Sequence, residues 1–164
     1  MTMLQFNVGD TAIYPTHGVA DVVDTLVRDM GNNHVQCYQL KVRGSGLKII
    51  VPVHKAEEVG MRPIAESGEI EELYELLRDQ EIPSDRQTWN RRYRGFMEKI
   101  RTGSLFEVAE VYRDLSVLKS TKTLSHGERQ MLKTARDLLI RELSVAKDIS
   151  ETEIANELDS MFKN

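Results

Sequence analysis

The sequence predicts an α+β chain: a small β barrel or strongly bent antiparallel sheet, followed by an all-α bundle of about five helices. Three observations carry this. Residues 8–62 are rich in Val, Ile, Tyr and Gly and break into short strand-like runs separated by turn signals. After Pro63 the apolar spacing becomes helical. Beyond that point a serine is followed three residues later by Glu or Gln four times, a pattern that starts helices. The composition changes between Arg62 and Gly68, so the expected units are residues 1–64 and 68–164. The connector between them reads equally as a flexible hinge or a packed segment.

In chain order, Val8-Gly9-Asp10 is a turn and Thr11–Tyr14 a first strand. Pro15–Gly18 is a break, and Val19–Val27 a second strand. Gly31-Asn32-Asn33 has the residues that tolerate positive φ in a hairpin turn. Val35–Val42 is a third strand, Gly44-Ser45-Gly46 a turn, and Leu47–Val53 a fourth strand. Val59–Arg62 is read as a fifth. A first helix fits Ile70–Leu77. Further helix starts are read at Ser84 with Gln87, Ser104 with Glu107, Ser125 with Glu128 and Ser150 with Glu153. In each the serine oxygen takes a free backbone N–H and the longer side chain reaches back. Apolar residues follow at helical spacing: Val108, Tyr112 and Leu115, then Leu132, Ala135, Leu139 and Leu143, then Ile154, Leu158 and Phe162. Gly103 suits the end of the helix before Ser104.

Composition narrows the function classes. The single Cys37 forbids an intrachain disulfide and a cysteine zinc cluster, and fits a reducing cytosol. His17, His34, His54 and His126 do not stand at metal-ligand spacing, and Gly44-Ser45-Gly46 lacks the Gly-Lys-Ser/Thr of a phosphate loop. No nucleophile or acid–base constellation is seen, so no enzyme, cofactor or metal is expected. The start of the chain, Met1–Phe6, has no basic residue followed by an apolar run, and no stretch reaches the ~20 apolar residues of a membrane span. A cytoplasmic protein without a membrane partner is expected.

Charge is more telling in its distribution than in its sum. The chain has a formal net charge of −4, yet between Arg86 and Arg101 stand six cations and one anion, a net of +5. Within this island lies Trp89-Asn90-Arg91-Arg92-Tyr93-Arg94. On a helix, Trp89, Tyr93, Phe96 or Met97, and Ile100 share one side. Two readings are open. The stripe is core and the arginines its solvated back face. Or the indole is exposed and stacks on an unpaired base or wedges between base steps, while Arg91, Arg92 and Arg94 contact phosphates. With about three phosphates contacted, affinity would fall with salt at a log–log slope near −3.

The second candidate site is Lys48-Ile49-Ile50-Val51-Pro52-Val53. It is either a buried strand or an edge strand that pairs with a partner's sheet. Pro52 favours the edge, because it lacks the N–H a central strand needs. An open edge would also allow a strand-mediated dimer of an otherwise monomeric protein.

These segments together resemble the CarD/CdnL family of bacterial transcription regulators over essentially the whole chain, and within it the shorter CdnL branch. The matching residues are Val8-Gly9-Asp10, Tyr14-Pro15 with Gly18, Val51-Pro52 with Val59-Gly60, and Trp89-Asn90-Arg91-Arg92-Tyr93. Further on stand Phe106–Val111 with Arg113-Asp114-Leu115, and Leu124-Ser125 with Gly127-Glu128 and Met131-Leu132. The resemblance implies a Tudor-like N-terminal domain that binds the RNA polymerase β subunit through the strand carrying Lys48, Ile50 and Pro52, and through Arg28. Some members carry an arginine where this chain has Ile50, so strand pairing rather than a polar contact is implied there. It also implies that Trp89 meets the upstream edge of melted promoter DNA, with Arg91, Arg92, Tyr93 and Arg94 beside it. The function implied is stabilisation of the open promoter complex, notably at ribosomal RNA promoters. The protein would be cytoplasmic and reach the nucleoid through polymerase. The alternative is an adaptor on polymerase that never touches DNA.

Overall fold

A computed structural model describes residues 6–80 and 89–162, with the side chains of these apart from those of Met30 and residues 89–91. The chain divides into two compact units, Met1–Ile64 and Ala65–Asn164.

The first unit is a five-stranded antiparallel sheet in the order β4-β3-β2-β1-β5. The strands are β1 (Thr11–Tyr14), β2 (Gly18–Met30), β3 (Asn33–Val42), β4 (Lys48–Pro52) and β5 (Arg62–Pro63). β2 and β3 are longer than their apolar runs suggest, because their outer ends continue as a paired hairpin out to Met30 opposite Asn33. Gly31 turns that hairpin with φ 66°, a conformation side chains rarely take. The register of β2 slips at Val23, a bulge that bends the long strand. One face packs Ala12, Ala20, Val22, Tyr38, Leu40, Val42 and Val51 into a core closed by Phe6, Ala56 and Met61. The buried Tyr38 hydroxyl accepts the Phe6 N–H at 3.0 Å, which ties the start of the described chain to β3.

Boundaries of the later strands also differ from expectation. Val53 belongs to a 3₁₀ turn, Val53–Lys55, rather than to β4. The fifth strand is Arg62–Pro63, not Val59–Arg62. Its position is set by pairing of Arg62 with Ile13 and Pro63 with Ala12, a long-range register that local composition does not encode. Val59 and Gly60 instead close a turn, each bonding back to the segment before it.

The second unit contains five helices among the described residues: α1 (Ser67–Arg78), α2 (Trp89–Thr102), α3 (Leu105–Thr121), α4 (His126–Lys147) and α5 (Glu151–Met161). The serine caps at Ser104, Ser125 and Ser150 each accept the expected backbone N–H. Of these three pairs, only Ser125 and Glu128 complete the reciprocal exchange. Glu107 turns to the Thr102 hydroxyl instead. The pair expected at Ser84 and Gln87 lies outside the described residues. Gly103, with φ 75°, ends α2 where its N–H meets the Ile100 carbonyl. Leu73, Leu77, Val108, Tyr112, Leu115, Ala135, Leu139, Leu143, Ile154 and Leu158 form the bundle core, at the spacings read from sequence.

The connector is anchored at its helical end. Ala65 is buried, and its N–H donates to the buried carboxylate of Glu142 on α4 at 2.9 Å. Across the bundle, Tyr74 on α1, Lys147 on α4 and Glu157 on α5 form one network. The Tyr74 hydroxyl donates to Glu157 at 2.6 Å, and Lys147 Nζ donates to both, each at 3.0 Å. Burial alone would raise the Glu157 carboxyl, but the Tyr74 and Lys147 contacts hold it below its ordinary value.

Candidate functional sites

In an antiparallel ladder, directly opposed residues point to the same face. Core residues Leu40 and Tyr38 oppose Ile49 and Val51, so Lys48, Ile50 and Pro52 of β4 project from the opposite face. On that face the rows are Lys48 with Lys41, Ile50 with Gln39 and Asp24, and Pro52 with Cys37 and Leu26. Arg28, opposite Val35, stands in the next row along. The structure therefore brings Arg28, Lys48, Ile50 and Pro52 to one side of one sheet. Lys48, Ile50 and Arg28 are exposed and Pro52 partly so. Ile50 keeps 37% of its surface.

The edge itself is also defined. β4 is the terminal strand of the sheet, as Pro52 suggests. The Val42 N–H donates to the Leu47 carbonyl at 2.8 Å, so the bonds to β3 are made by alternate residues: Leu47, Ile49 and Val51. Lys48, Ile50 and Pro52 then turn their backbone groups to the open side. The N–H that Pro52 lacks is one that no neighbouring strand would receive.

In the helical unit, Trp89 is the first residue of α2, and the basic island runs along that helix. The side chains of Trp89 and Arg91, and Arg86 as a whole, lie outside the described residues. The stripe divides within the helix. Phe96 and Ile100 are buried in the bundle core, whereas Tyr93 and Met97 keep 39% and 37% of their surface. Arg94 is exposed. Arg92 is not a solvated cation: its side chain is 23% exposed, and its guanidinium lies 4.0 Å from Glu128 Oε2 on α4. Lys99 pairs with Glu110 on α3 at 2.6 Å, and Arg101 with Glu98 at 3.4 Å. A linear count of charges misses Glu110 and Glu128, which reach the island from other helices.

Glu128 is the residue that sequence reasoning noticed only as a cap. It is 1% exposed. Its Oε1 accepts the Ser125 N–H at 2.8 Å and lies 3.3 Å from Lys122 Nζ. Burial pushes the carboxyl up, and the Ser125 and Lys122 contacts outweigh it and hold the group below its ordinary value. Among the described residues no three His, Cys, Asp or Glu gather as a metal site, and no helix is long and apolar enough to cross a membrane.

Comparison with known proteins agrees with both halves. Residues 6–65 match the family described as the CarD-like/TRCF RID domain, and residues 72–159 match that described as CarD, C-terminal domain. The chain is 32% identical over 150 residues to the protein named "Putative transcription factor YdeB" of Bacillus subtilis (strain 168), an alignment spanning 91% of this chain and 97% of that one. With matches across both units, the chain belongs to the CarD family of transcription regulators.

Proposed function

We propose that the protein binds the β subunit of RNA polymerase through β4 and stabilises the open promoter complex by contacting the upstream edge of the transcription bubble with the first turns of α2. The open edge of β4 carries the first half of this reading. Lys48 and Ile50 offer backbone donors and acceptors to an added strand, and Pro52 offers a carbonyl. The exposed Ile50 and Arg28 flank it on one face. Such an edge supplies affinity through main-chain bonds and specificity through the side chains beside it.

The second half rests on α2. Trp89, Arg91, Tyr93 and Arg94 stand in its first six residues, and Tyr93 and Arg94 are exposed. Stacking and phosphate contacts read no base edges, so little sequence preference follows. An indole cannot melt DNA by itself, since unstacking costs a few kcal/mol per step. It can slow reclosure once polymerase has opened the duplex. A gain of ~1.4 kcal/mol on the closing barrier lengthens the open state about tenfold. Ribosomal RNA promoters, whose open complexes the family is expected to hold, are the natural place to look. The protein acts as a cytoplasmic monomer that reaches the nucleoid through polymerase.

A second reading, an adaptor on polymerase with no DNA contact, is favoured by one observation: Arg92, Lys99 and Arg101 are each engaged by a carboxylate of the protein itself. Acrylamide quenching of Trp89 in the free protein separates the two, since a protected indole supports the adaptor.

The polymerase contact is tested with Ile50→Glu, a surface change expected to leave the fold intact. It should weaken binding to an isolated polymerase β fragment by tenfold or more. Full binding would move the interface away from β4.

A further inference from the structure

We infer that Glu128 is a positioning residue for the first turn of α2, acting through Arg92. The inference rests on the reading of that turn as a DNA contact but concerns how the turn is held. The two later turns of α2 are fixed by Phe96 and Ile100, buried in the core, and by the Lys99–Glu110 pair to α3. Arg92 lies one turn before Phe96 and three residues after Trp89. Its guanidinium lies 4.0 Å from Glu128 and links this end of α2 to the start of α4.

Glu128 is suited to the task because it is itself immobilised. It sits in the first turn of α4, fully buried, with Oε1 fixed by the Ser125 N–H and by Lys122. Its other oxygen, Oε2, is buried and accepts no hydrogen bond among the described residues, and the Arg92 guanidinium is the cation that faces it. A buried carboxylate left facing an apolar wall is costly, so the pair favours the arrangement in which Arg92 stays turned inward. The first turn of α2 is thereby held against the rigid start of α4, and the residues on either side of Arg92 are presented from a fixed frame.

Glu128→Gln keeps an oxygen for the Ser125 N–H and removes the charge that faces Arg92. Arg92→Met removes the other partner and keeps the apolar stem. Trp89 is the sole tryptophan, so its fluorescence anisotropy in the free, full-length protein reports the first turn of α2, and far-UV circular dichroism reports the bundle. Both variants should lower the anisotropy with the helical signal retained. The double variant should go no lower than either single one, as expected of two residues acting through one contact. Glu128→Gln should also shorten open-complex lifetime several-fold. If anisotropy falls and lifetime does not, the pair still positions the turn and it is the DNA-contact role of that turn that fails. Unchanged anisotropy in folded Glu128→Gln overturns the inference. Loss of helical signal in Glu128→Gln, with Arg92→Met unchanged in both measurements, also overturns it and reduces Glu128 to a helix cap.

Discussion

At the start of α4, Ser125 Oγ accepts the Glu128 N–H at 3.2 Å while Glu128 returns the exchange to the Ser125 N–H. Ser125→Ala removes half of this and should cost about 1 kcal/mol, lowering the thermal midpoint of a unit this size by about 4 °C. The carboxylates also set an acid limit. Glu128 and Glu157 are both held below their ordinary 4.5 in the folded protein. Their contribution is fully present above that value and is lost as pH falls through the lowered one. Asp114, pushed up by burial in spite of Arg113, works in the opposite sense and offsets part of it. Urea unfolding between pH 7 and pH 3 should show stability falling below about pH 4.5, with a shallower fall in Glu128→Gln. The serine caps were legible in the sequence because Ser-x-x-Glu is a local pattern. The burial of Glu128 and the inward turn of Arg92 were not, since both depend on helices brought together from distant parts of the chain.

Among the elements, β4 shows how far sequence patterning reaches. The proline at its end is enough to favour an edge, but the run reads as apolar on both faces, and only the register shows Ile49 and Val51 toward the core and Lys48 and Ile50 outward. The gathering of Arg28 with Ile50 and Pro52 on one face required the register of three strands, including the bulge at Val23 that shifts Asp24 to the outward row. The two-residue β5 was misplaced for the same reason, having no apolar run of its own. The phase of β4 has a consequence for Pro52. Its nitrogen faces the open side, so Pro52→Ala should cost no more than the gain in unfolded-chain entropy, about 1 kcal/mol or less. Val51→Pro deletes a donor facing β3 and a core side chain, and should destabilise the sheet unit by considerably more, as chemical unfolding of the two variants will show. α2 meets both of the readings left open for it in part, because its row divides into buried Phe96 and Ile100 and exposed Tyr93 and Met97.

For the whole molecule, two units with separate cores allow two weak grips to act together. On the proposed function, a polymerase contact made by the sheet would raise the effective concentration of α2 at the DNA fork, so neither contact need be strong alone. Salt dependence measures how many phosphates the second grip takes. Three arginines would give a log–log slope near −3, and with Arg92 engaged by Glu128 a slope of about −2 is expected for the isolated protein. The proposed promoter contact depends most on the indole at the head of α2, and the lifetime of the open promoter complex tests it most directly. With wild-type protein and with Trp89→Ala matched for polymerase binding, the substitution should shorten that lifetime by about the tenfold that ~1.4 kcal/mol represents. An unchanged lifetime with folded, polymerase-bound Trp89→Ala would contradict it.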